Sequence, residues 1–382
     1  MNVLYLSLGY TTHDRRFLDL FERSGFTVHW LPLGKSVLEV RDVPENVAKL
    51  KLDSSVGSVS GVDDILAAIL PLVKPFREMC RSVAPDIVVA GPLQSCGALV
   101  AFSGFQPWIA MSWGSDILVD AKTSRGFDAL TRFVLQHADA ALGDCRAVED
   151  AIRGYAKMTV GELVTFPWGI DLNQFSRRHT AHRVRLSAGW SSTDTVFLCT
   201  RSMEPIYAVA TLVEAFSGLA RRHTDFRLVL LGDGSEYQEI QRQIVTLGVE
   251  KHVVAPGRVD NDRAVEFFQN ADIYVSPALS DGSSISLLEA MGCSLPVVVT
   301  NAYGNQEWVK EGINGWLAEP GDAASMEGAM KRALSSRTDW QAIGDANRKQ
   351  VECLADWRVN STQLVQLIRR MVNLERSGTL SS

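Results

Sequence analysis

The sequence predicts an α/β protein with two domains, each built on a parallel sheet that helices cover on both faces. The chain has 382 residues, more than one ordinary core holds. Short apolar stretches alternate with amphipathic ones, as in "NVLYLSL" followed by "DRRFLDLFERSG". This alternation stops in the run "FPWGIDLNQFSRRHTAHR" and then begins again.

In the first domain, five apolar stretches are expected as strands: "NVLYLSL", "TVHWLPL", "PDIVVAG", "PWIAMSWGSD" and "ADAALGDC". A helix follows the first strand, with Phe17, Leu20 and Phe21 on one face and Gly25 as its stop. Residues Lys35 to Val62 are rich in Ser, Gly and Val and weakly periodic, so we expect a loop there.

The second domain shows at least five βα units, with strands at "TVFLCTR", "FRLVLLGDG", "HVVAPG", "DIYVSP" and "PVVVT". We therefore assign residues 1–170 to the first domain and 190–357 to the second, with a linker and hinge near 168–190. Residues 323–376 are predicted to be mainly helical.

Composition excludes several classes of function. The 38 Lys+Arg and 44 Asp+Glu give a net charge of −6, so no basic field exists to hold a nucleic acid. The six cysteines lack any CxxC or Cys/His cluster, which favours reduced thiols in the cytoplasm without disulfides or zinc. The start has no signal-peptide pattern, and no apolar run reaches the roughly 18 to 20 residues of a membrane-spanning helix. Peripheral contact with the inner face of a membrane, through amphipathic helices, stays open.

The stretch "SPALSDGSSISLLEAMGCSLPVVVT", residues 276–300, is the most informative part of the chain. It predicts a strand, a loop, and a short helix that begins at Ser283 or Ser284 and ends near Met291, with Gly292 as its stop. The small residues Gly282, Ser283 and Ser284 leave backbone N–H groups free at a helix N-terminus, where an anion such as a diphosphate binds favourably.

Two carboxylates flank this helix start. Leu287, Leu288 and Met291 share the buried face, which turns Glu289 away from the core. Asp281 precedes the helix, and both acids can accept hydrogen bonds from sugar hydroxyls. From spacing alone, Asp281 could equally be a helix N-cap and Glu289 a solvated helix residue.

The motif "DGSSISLLEAMGCSLPVVVT" resembles family 4 of the glycosyltransferases, which are retaining enzymes. The stretches "SWGSD", "FPWGIDLNQF" and "RSMEPIYAVATLVEAFSGL" are similar to further segments of that family, in the same order. The resemblance implies the GT-B fold, in which two Rossmann-like parallel-sheet domains face a central cleft. It also implies that the C-terminal helix, about residues 358–376, crosses back to the first domain, the acceptor side.

The resemblance implies roles for individual residues of the donor site. Glu289 would bind the ribose hydroxyls, Asp281 would contact the transferred sugar, and Arg201 would pair with the diphosphate. Backbone groups at Gly257 and Arg258 would meet the base. Further donor contacts are expected from Gly282, Ser283, Ser284, Ile285, Gly232, Tyr207 and Trp113. The catalytic candidates are Asp281, Arg201, Asp116 and His13. No metal and no cofactor is implied; the nucleotide sugar is a co-substrate, with UDP-sugar favoured and GDP-sugar possible.

Three positions depart from the family pattern. A lysine usual shortly after the arginine is replaced by Ile206 and Tyr207, and the first acid is Asp281 instead of glutamate. Trp113 stands where many members have a histidine. His13 and Asp116 remain as polar candidates on the acceptor side, although a strand-end turn and a helix N-cap are their alternative interpretations. Arg201 could likewise be an ordinary surface cation.

The sequence thus predicts a retaining glycosyltransferase that moves a sugar from a nucleotide diphosphate to a hydroxyl acceptor. By analogy with the family, the acceptor would be a glycan or a lipid-linked group in cell-surface polysaccharide or lipopolysaccharide biosynthesis. The alternatives are a non-catalytic nucleotide-sugar binder or partner protein with a degenerate site, and a phosphorylase or sugar-phosphate synthase of the same fold. Base, sugar, acceptor and oligomeric state do not follow from the sequence.

Overall fold

The chain divides into two compact units. The structure is a computed structural model that describes residues 1–37, 39, 41–52, 61–159, 161–177, 185 and 189–376. The first unit comprises Met1–Pro167 and Ser361–Ser382, and the second comprises Trp168–Asn360. Each unit is built on one parallel sheet, so the predicted pair of Rossmann-like α/β domains is confirmed.

The first unit contains a seven-stranded sheet in the order β3-β2-β1-β4-β5-β6-β7, in the described part of the chain. Its strands are β1 (Asn2–Tyr10), β2 (Thr27–Val37), β3 (Val47–Lys49), β4 (Ile87–Ala90), β5 (Trp108–Met111), β6 (Ala140–Gly143) and β7 (Leu163–Thr165). Its α-helices are Thr12–Arg23, Val62–Ile69, Val73–Val83, Ala98–Ser103, Ser115–Leu118, Arg125–His137, Arg146–Tyr155 and the C-terminal Thr362–Arg376. Neighbouring strands pair in parallel throughout, as the buried apolar stretches predicted.

The expected loop over residues 35–62 is wrong at both of its ends and in its middle. Strand β2 continues to Val37, β3 pairs in parallel with β2, and a helix already begins at Val62. Only Val47 of β3 is buried, because this three-residue strand lies at the edge of the sheet. So short a strand gives too few residues for a detectable alternation. Residues 38, 40 and 53–60 lie outside the described part.

The second unit contains a six-stranded sheet in the order β10-β9-β8-β11-β12-β13, again among the residues described. Its strands are β8 (Thr195–Cys199), β9 (Phe226–Leu231), β10 (Val253–Gly257), β11 (Ile273–Ser276), β12 (Val297–Thr300) and β13 (Gly315–Ala318). Its α-helices are Val209–Ala220, Tyr237–Thr246, Asn261–Asn270, Ile285–Gly292, Asn305–Trp308, Ala323–Ser335, Trp340–Leu354 and Trp357–Asn360.

Both sheets have a topological switch point, where the order of the strands reverses. It lies between β1 and β4 in the first sheet and between β8 and β11 in the second. In open parallel sheets, ligands bind beyond the carboxyl ends of the strands at such a point. The loop after β8 carries Arg201 and the loop after β11 carries Asp281, so the topology brings these two predicted residues to the favoured place.

The second sheet is packed on both faces. One face buries Phe197, Phe216 and Met330, and the other buries Leu198, Leu288 and Val351. The segment predicted as a linker begins with Ile170, Leu172 and Phe175, which are buried in the second of these clusters. These residues therefore belong to the packed second unit, while residues 178–184 and 186–188 of the segment lie outside the described part.

The C-terminal helix Thr362–Arg376 belongs to the first unit. Arg369 Nη2 donates to the backbone oxygen of Ser24 at 3.1 Å, and Arg370 donates to the backbone oxygen of Gly161. All six cysteines are free thiols, and five of them are buried. Within the described residues, no helix combines the length and the apolar character that a transmembrane span requires.

The loops after β11 and β12 touch at two glycines, which gives a test of the fold. A Cβ at Gly304 would lie 2.0 Å from the backbone oxygen of Gly282. We expect Gly304→Ala to lower the free energy of unfolding by about 1–3 kcal/mol, because the backbone must shift. Gly328→Ala is the matched control, since its Cβ meets nothing closer than 3.7 Å. It should raise stability by about 0.5–1 kcal/mol in mid-helix. Equal denaturation midpoints for the two variants would contradict this packing.

Candidate functional site

The loop after β11 leads into the helix Ile285–Gly292, which begins where the sequence placed it. Ser284 is the N-cap residue, but its side chain makes no capping hydrogen bond. The alternative in which Asp281 caps the helix is therefore wrong. The first N–H groups of a helix have no acceptor within it, so the amides of Ile285 and Ser286 face the loop.

The predicted buried face of this helix is confirmed. Leu287, Leu288 and Met291 have no exposed surface, whereas Glu289 is partly exposed on the second turn. The helix ends one residue later than predicted, since Gly292 is its last residue and Cys293 its C-cap. Gly282 and Ser283 are buried in the loop, and the N–H of Gly304 donates to the backbone oxygen of Asp281 at 3.2 Å.

Arg201 makes several buried polar contacts beside the N-terminus of the helix Ile285–Gly292. It follows β8, and its side chain is only 9% exposed, which rules out the ordinary surface cation. Its Nη1 donates to Ser284 Oγ at 2.8 Å and to Ser286 Oγ at 3.0 Å, and its Nη2 lies 3.1 Å from Asp281 Oδ2. A buried guanidinium needs such compensation, because burial of an unpaired charge is costly.

Arg201 and Asp281 each shift the pKa of the other. Burial raises the pKa of Asp281 above its ordinary value, and the neighbouring Arg201 opposes that shift. Burial lowers the pKa of Arg201, but the charge of Asp281 and weaker contributions from Tyr207 and Tyr274 outweigh it, so the pKa is raised overall. Arg201 therefore stays cationic at any physiological pH.

Tyr207, which stands in the region of the missing lysine, covers one face of the guanidinium. The Arg201 Cζ lies 4.0 Å from the centre of the Tyr207 ring, which is the distance of a close cation–π contact. Tyr207 ends a 3₁₀ turn, Pro205–Tyr207, and the backbone oxygen of Ile206 accepts from the amide of Leu279 at 2.8 Å. The loops after β8 and β11 are thus joined by backbone as well as by side chains.

Gly257, which was predicted near the base, and Gly232, which was predicted as a further donor contact, lie in adjacent loops. The N–H of Gly232 donates to the backbone oxygen of Gly257 at 3.0 Å. A Cβ at Gly232 would approach the backbone oxygen of Arg201 to 2.5 Å, so only glycine allows this close packing. Arg258 pairs with Asp233 at 2.8 Å, and both are partly exposed. The loops after β8, β9 and β10 therefore meet around Gly232.

The first unit holds a separate group of predicted residues. His13 lies in the first turn of the helix Thr12–Arg23, and its ring meets the edge of Trp113 with centroids 5.7 Å apart. Asp116 is 3% exposed and accepts from the backbone N–H of Leu93 and Trp113 and from Ser112 Oγ at 2.7–3.0 Å. Burial raises the pKa of Asp116, and these hydrogen bonds lower it.

Asp116 is neither a free cleft group nor the N-cap, since Gly114 occupies the N-cap position. Its carboxylate accepts hydrogen bonds from the loops after β4 and β5 and so links them. This contact positions Trp113. Asp14, beside His13, forms a capping box with Thr11. Of the predicted acceptor-side residues, the structure thus brings His13 and Trp113 together and gives Asp116 a supporting contact.

Two residues that sequence reasoning did not single out take part in the Arg201 site. Ser286 Oγ accepts from Arg201 Nη1, and it also accepts from the Tyr274 hydroxyl at 2.7 Å. Tyr274 was assigned only to a buried strand. The tyrosine in this buried strand could have indicated a polar contact, because a buried tyrosine hydroxyl usually finds a hydrogen-bond partner.

A family model matches the part of the chain that holds these residues. Residues 183–350 match the family model described as "Glycosyl transferases group 1". The matched segment, residues 183–350, is similar to that family. Residues 183–350 include Arg201, Asp281 and Glu289. The resemblance to glycosyltransferases that the sequence predicted is therefore confirmed for this segment. In the described residues, no group of three or more His, Cys, Asp or Glu side chains is placed to hold a metal ion.

Curated proteins that are similar to this chain are transferases and synthases of several kinds. Sulfoquinovosyl transferase SQD2 of Arabidopsis thaliana is 24% identical over 62% of this chain and 45% of its own length. A GDP-mannose-dependent phosphatidylinositol monomannoside mannosyltransferase of Mycolicibacterium smegmatis is 25% identical over 73% of this chain and 74% of its own. The chain therefore spans about half the length of the first of these relatives and three quarters of the second.

Solved structures share the whole fold. Sucrose-phosphate synthase from Thermosynechococcus elongatus has a TM-score of 0.81 at 16% identity and covers 97% of this chain and 98% of its own. HepE of Anabaena, in complex with UDP-glucose, has a TM-score of 0.78 at 18% identity. The match covers 97% of this chain and 100% of the HepE chain. The predicted GT-B fold is confirmed by this likeness, which at such low identity concerns the fold alone.

The stacking of Tyr207 on Arg201 yields a test of the site. Tyr207→Leu removes the ring face, and we expect nucleoside diphosphate binding to weaken by about 1–2 kcal/mol because a desolvated cation–π contact is lost. Tyr207→Phe keeps the face and should bind within about twofold of the unchanged protein. Titration calorimetry with each variant measures the difference. Equal weakening by Phe and Leu would mean that the hydroxyl, and not the ring face, carries the effect.

Proposed function

We propose that the protein is a retaining glycosyltransferase that moves a sugar from a nucleotide diphosphate donor to a hydroxyl group of an acceptor. The observation that carries the proposal is the position of Arg201, a buried cation at the switch point of the second sheet, beside the N-terminus of the helix Ile285–Gly292. A cation and a helix N-terminus together favour a diphosphate. Glu289, on the same helix, supplies a partly exposed acceptor for the ribose hydroxyls.

In this proposal the donor lies along the carboxyl edge of the second sheet. The diphosphate takes Nη2 of Arg201, which Asp281 occupies in its absence, and the amides at Ile285 and Ser286, while Nη1 keeps its two serine acceptors. Backbone groups at Gly232, Gly257 and Arg258 meet the base. Asp281 then loses its cation and becomes an acceptor for a hydroxyl of the transferred sugar.

The chemical step breaks the bond between the anomeric carbon and the diphosphate oxygen, which leaves with the electron pair. The acceptor oxygen bonds to the same carbon on the same face, and its proton passes to the departing phosphate oxygen. Arg201 and the helix N-terminus stabilise the charge that grows on the phosphate, and that stabilisation is stronger in a water-poor site. These two groups can carry the charge without a metal ion.

The class of donor and acceptor follows from relatives as an inference. HepE has been solved with UDP-glucose, and the mycobacterial relative is named for GDP-mannose, so we favour UDP-sugar and keep GDP-sugar as the second choice. WaaG, a glycosyltransferase involved in lipopolysaccharide biosynthesis, shares the fold with a TM-score of 0.72. We propose a glycan or lipid-linked acceptor of cell-surface polysaccharide synthesis, reached at the cytoplasmic side.

One observation favours a second candidate, a non-catalytic nucleotide-sugar binder. Arg201 is the cation at the diphosphate position, its partner Asp281 is one methylene shorter than glutamate, and Tyr207 lies in the region of the family's lysine. A binder with this site would hold nucleotide sugar without releasing the nucleotide. Turnover separates the two candidates.

The test is a panel of UDP-, GDP-, ADP- and dTDP-sugars, in which thermal shift and released nucleotide are recorded for each. One donor should raise the melting temperature and release nucleotide, and release should rise with a suitable glycan acceptor. Glu289→Gln should weaken binding of that donor about tenfold, because the ribose diol loses a charged acceptor. Glu214→Gln, an exposed glutamate on another helix of the same unit, is the control and should change nothing. Stabilisation without release would favour the binder, and no response to any donor would overturn both candidates.

A further inference from the structure

A chain of hydroxyl groups connects Arg201 to the interior of the second unit. Arg201 Nη1 donates to Ser286 Oγ at 3.0 Å, and the Tyr274 hydroxyl donates to the same oxygen at 2.7 Å. Ser284 Oγ also accepts from Nη1, at 2.8 Å, and lies 3.4 Å from Ser286 Oγ. All four side chains are buried.

The hydrogen-bond count fixes the direction of this chain. A serine hydroxyl has one O–H donor and two acceptor lone pairs. Arg201 and Tyr274 use both acceptor positions of Ser286, so its own O–H is left to point toward Ser284. Because Arg201 and Tyr274 both donate to Ser286 Oγ, the Ser286 hydroxyl has no second orientation of equal energy. The Ser286 side chain is therefore held in one rotamer.

Tyr274 is a rigid support for this arrangement. It has no exposed surface, lies in the middle of β11, and its ring stacks on Phe268 with centroids 6.0 Å apart. Its N–H donates to the backbone oxygen of Pro296 at 3.0 Å. Burial raises the pKa of Tyr274 well above its usual value, so its hydroxyl remains protonated and remains a donor.

Tyr207 and the serines restrain different motions of Arg201. A ring stacked on the guanidinium face prevents the group from tilting, but it permits rotation in the plane of the stack. Hydrogen bonds to Nη1 prevent that rotation. An arginine gives up less freedom per contact when its planar group is already fixed, which favours two-point binding of a phosphate.

We propose that Tyr274 is a positioning residue for the donor diphosphate, acting on Arg201 through Ser286 without touching the ligand. The inference rests on the proposed function, because it assigns Arg201 to the diphosphate. Removal of the phenol oxygen would leave Ser286 free to rotate and Arg201 Nη1 with one fixed acceptor in place of two.

The experiment is a double-mutant cycle of Tyr274→Phe and Ser286→Ala. Nucleoside diphosphate affinity is measured by calorimetry, and kcat and KM are measured with the donor chosen from the panel. Each single variant should weaken diphosphate binding about fivefold to tenfold and lower kcat by a larger factor, since charge grows on the phosphate in the transition state. The double variant should bind no worse than Ser286→Ala alone, because Tyr274 acts only through Ser286.

Two further variants separate positioning from mere stability. Tyr237→Phe removes a hydroxyl that donates to the backbone oxygen of Ala255, and Ser217→Ala removes a buried helix serine. Both should leave diphosphate affinity within twofold. Ser286→Thr keeps the hydroxyl and should recover most of the affinity lost in Ser286→Ala.

The outcomes distinguish failure of this inference from failure of the proposed function. Diphosphate affinity and kcat unchanged in a folded Tyr274→Phe protein would overturn the positioning role while the transferase stands. Additive losses in the double variant would also overturn it, since Tyr274 would then act independently of Ser286. An unchanged protein that binds no nucleoside diphosphate would overturn both.

Discussion

The packing of the loops after β8 and β11 depends on the burial of one positive charge, that of Arg201. A guanidinium with 9% exposure is tolerated only where opposite charge and hydrogen-bond acceptors surround it. Arg201 has Asp281 at 3.1 Å, two serine hydroxyls at 2.8 and 3.0 Å and an aromatic face at 4.0 Å. Because these partners come from the loops after β8 and β11, the charge also fixes how the two loops pack at the switch point.

The two departures in the donor motif meet at this same charge. Asp281, shorter than the usual glutamate, pairs with Arg201, and Tyr207, in the region of the usual lysine, stacks on it. Because the usual lysine is absent, less positive charge has to be compensated. One carboxylate, Asp281, and one neutral ring, Tyr207, are then enough beside Arg201. Both departures from the family pattern therefore lie in direct contact with Arg201.

Local patterns in the sequence predicted five strands of each sheet and missed β3, β7 and β13. They also predicted the helix Ile285–Gly292 and its buried face, because the periodicity of a strand or an amphipathic helix is visible over a few residues. The family resemblance also singled out Arg201 and Asp281 as candidates, and the structure places them in contact. Their mutual contact and the part played by Tyr274 and Ser286 could not be predicted, since those contacts join residues that are distant along the chain. Strand β3 was missed because an edge strand of three residues leaves no periodic signal, and Asp116 looked like a free acid until its three donors were placed.

The most direct measurement is the affinity of Asp281→Asn for the nucleoside diphosphate that the unchanged protein selects. If the diphosphate takes Arg201 from Asp281, removal of the competing charge should tighten diphosphate binding about tenfold at low salt. Transfer of the sugar from the intact donor should fall in the same variant, because the carboxylate acceptor is gone. Weaker diphosphate binding by Asp281→Asn would contradict the account, since it would mean that the ligand and Asp281 do not share Arg201.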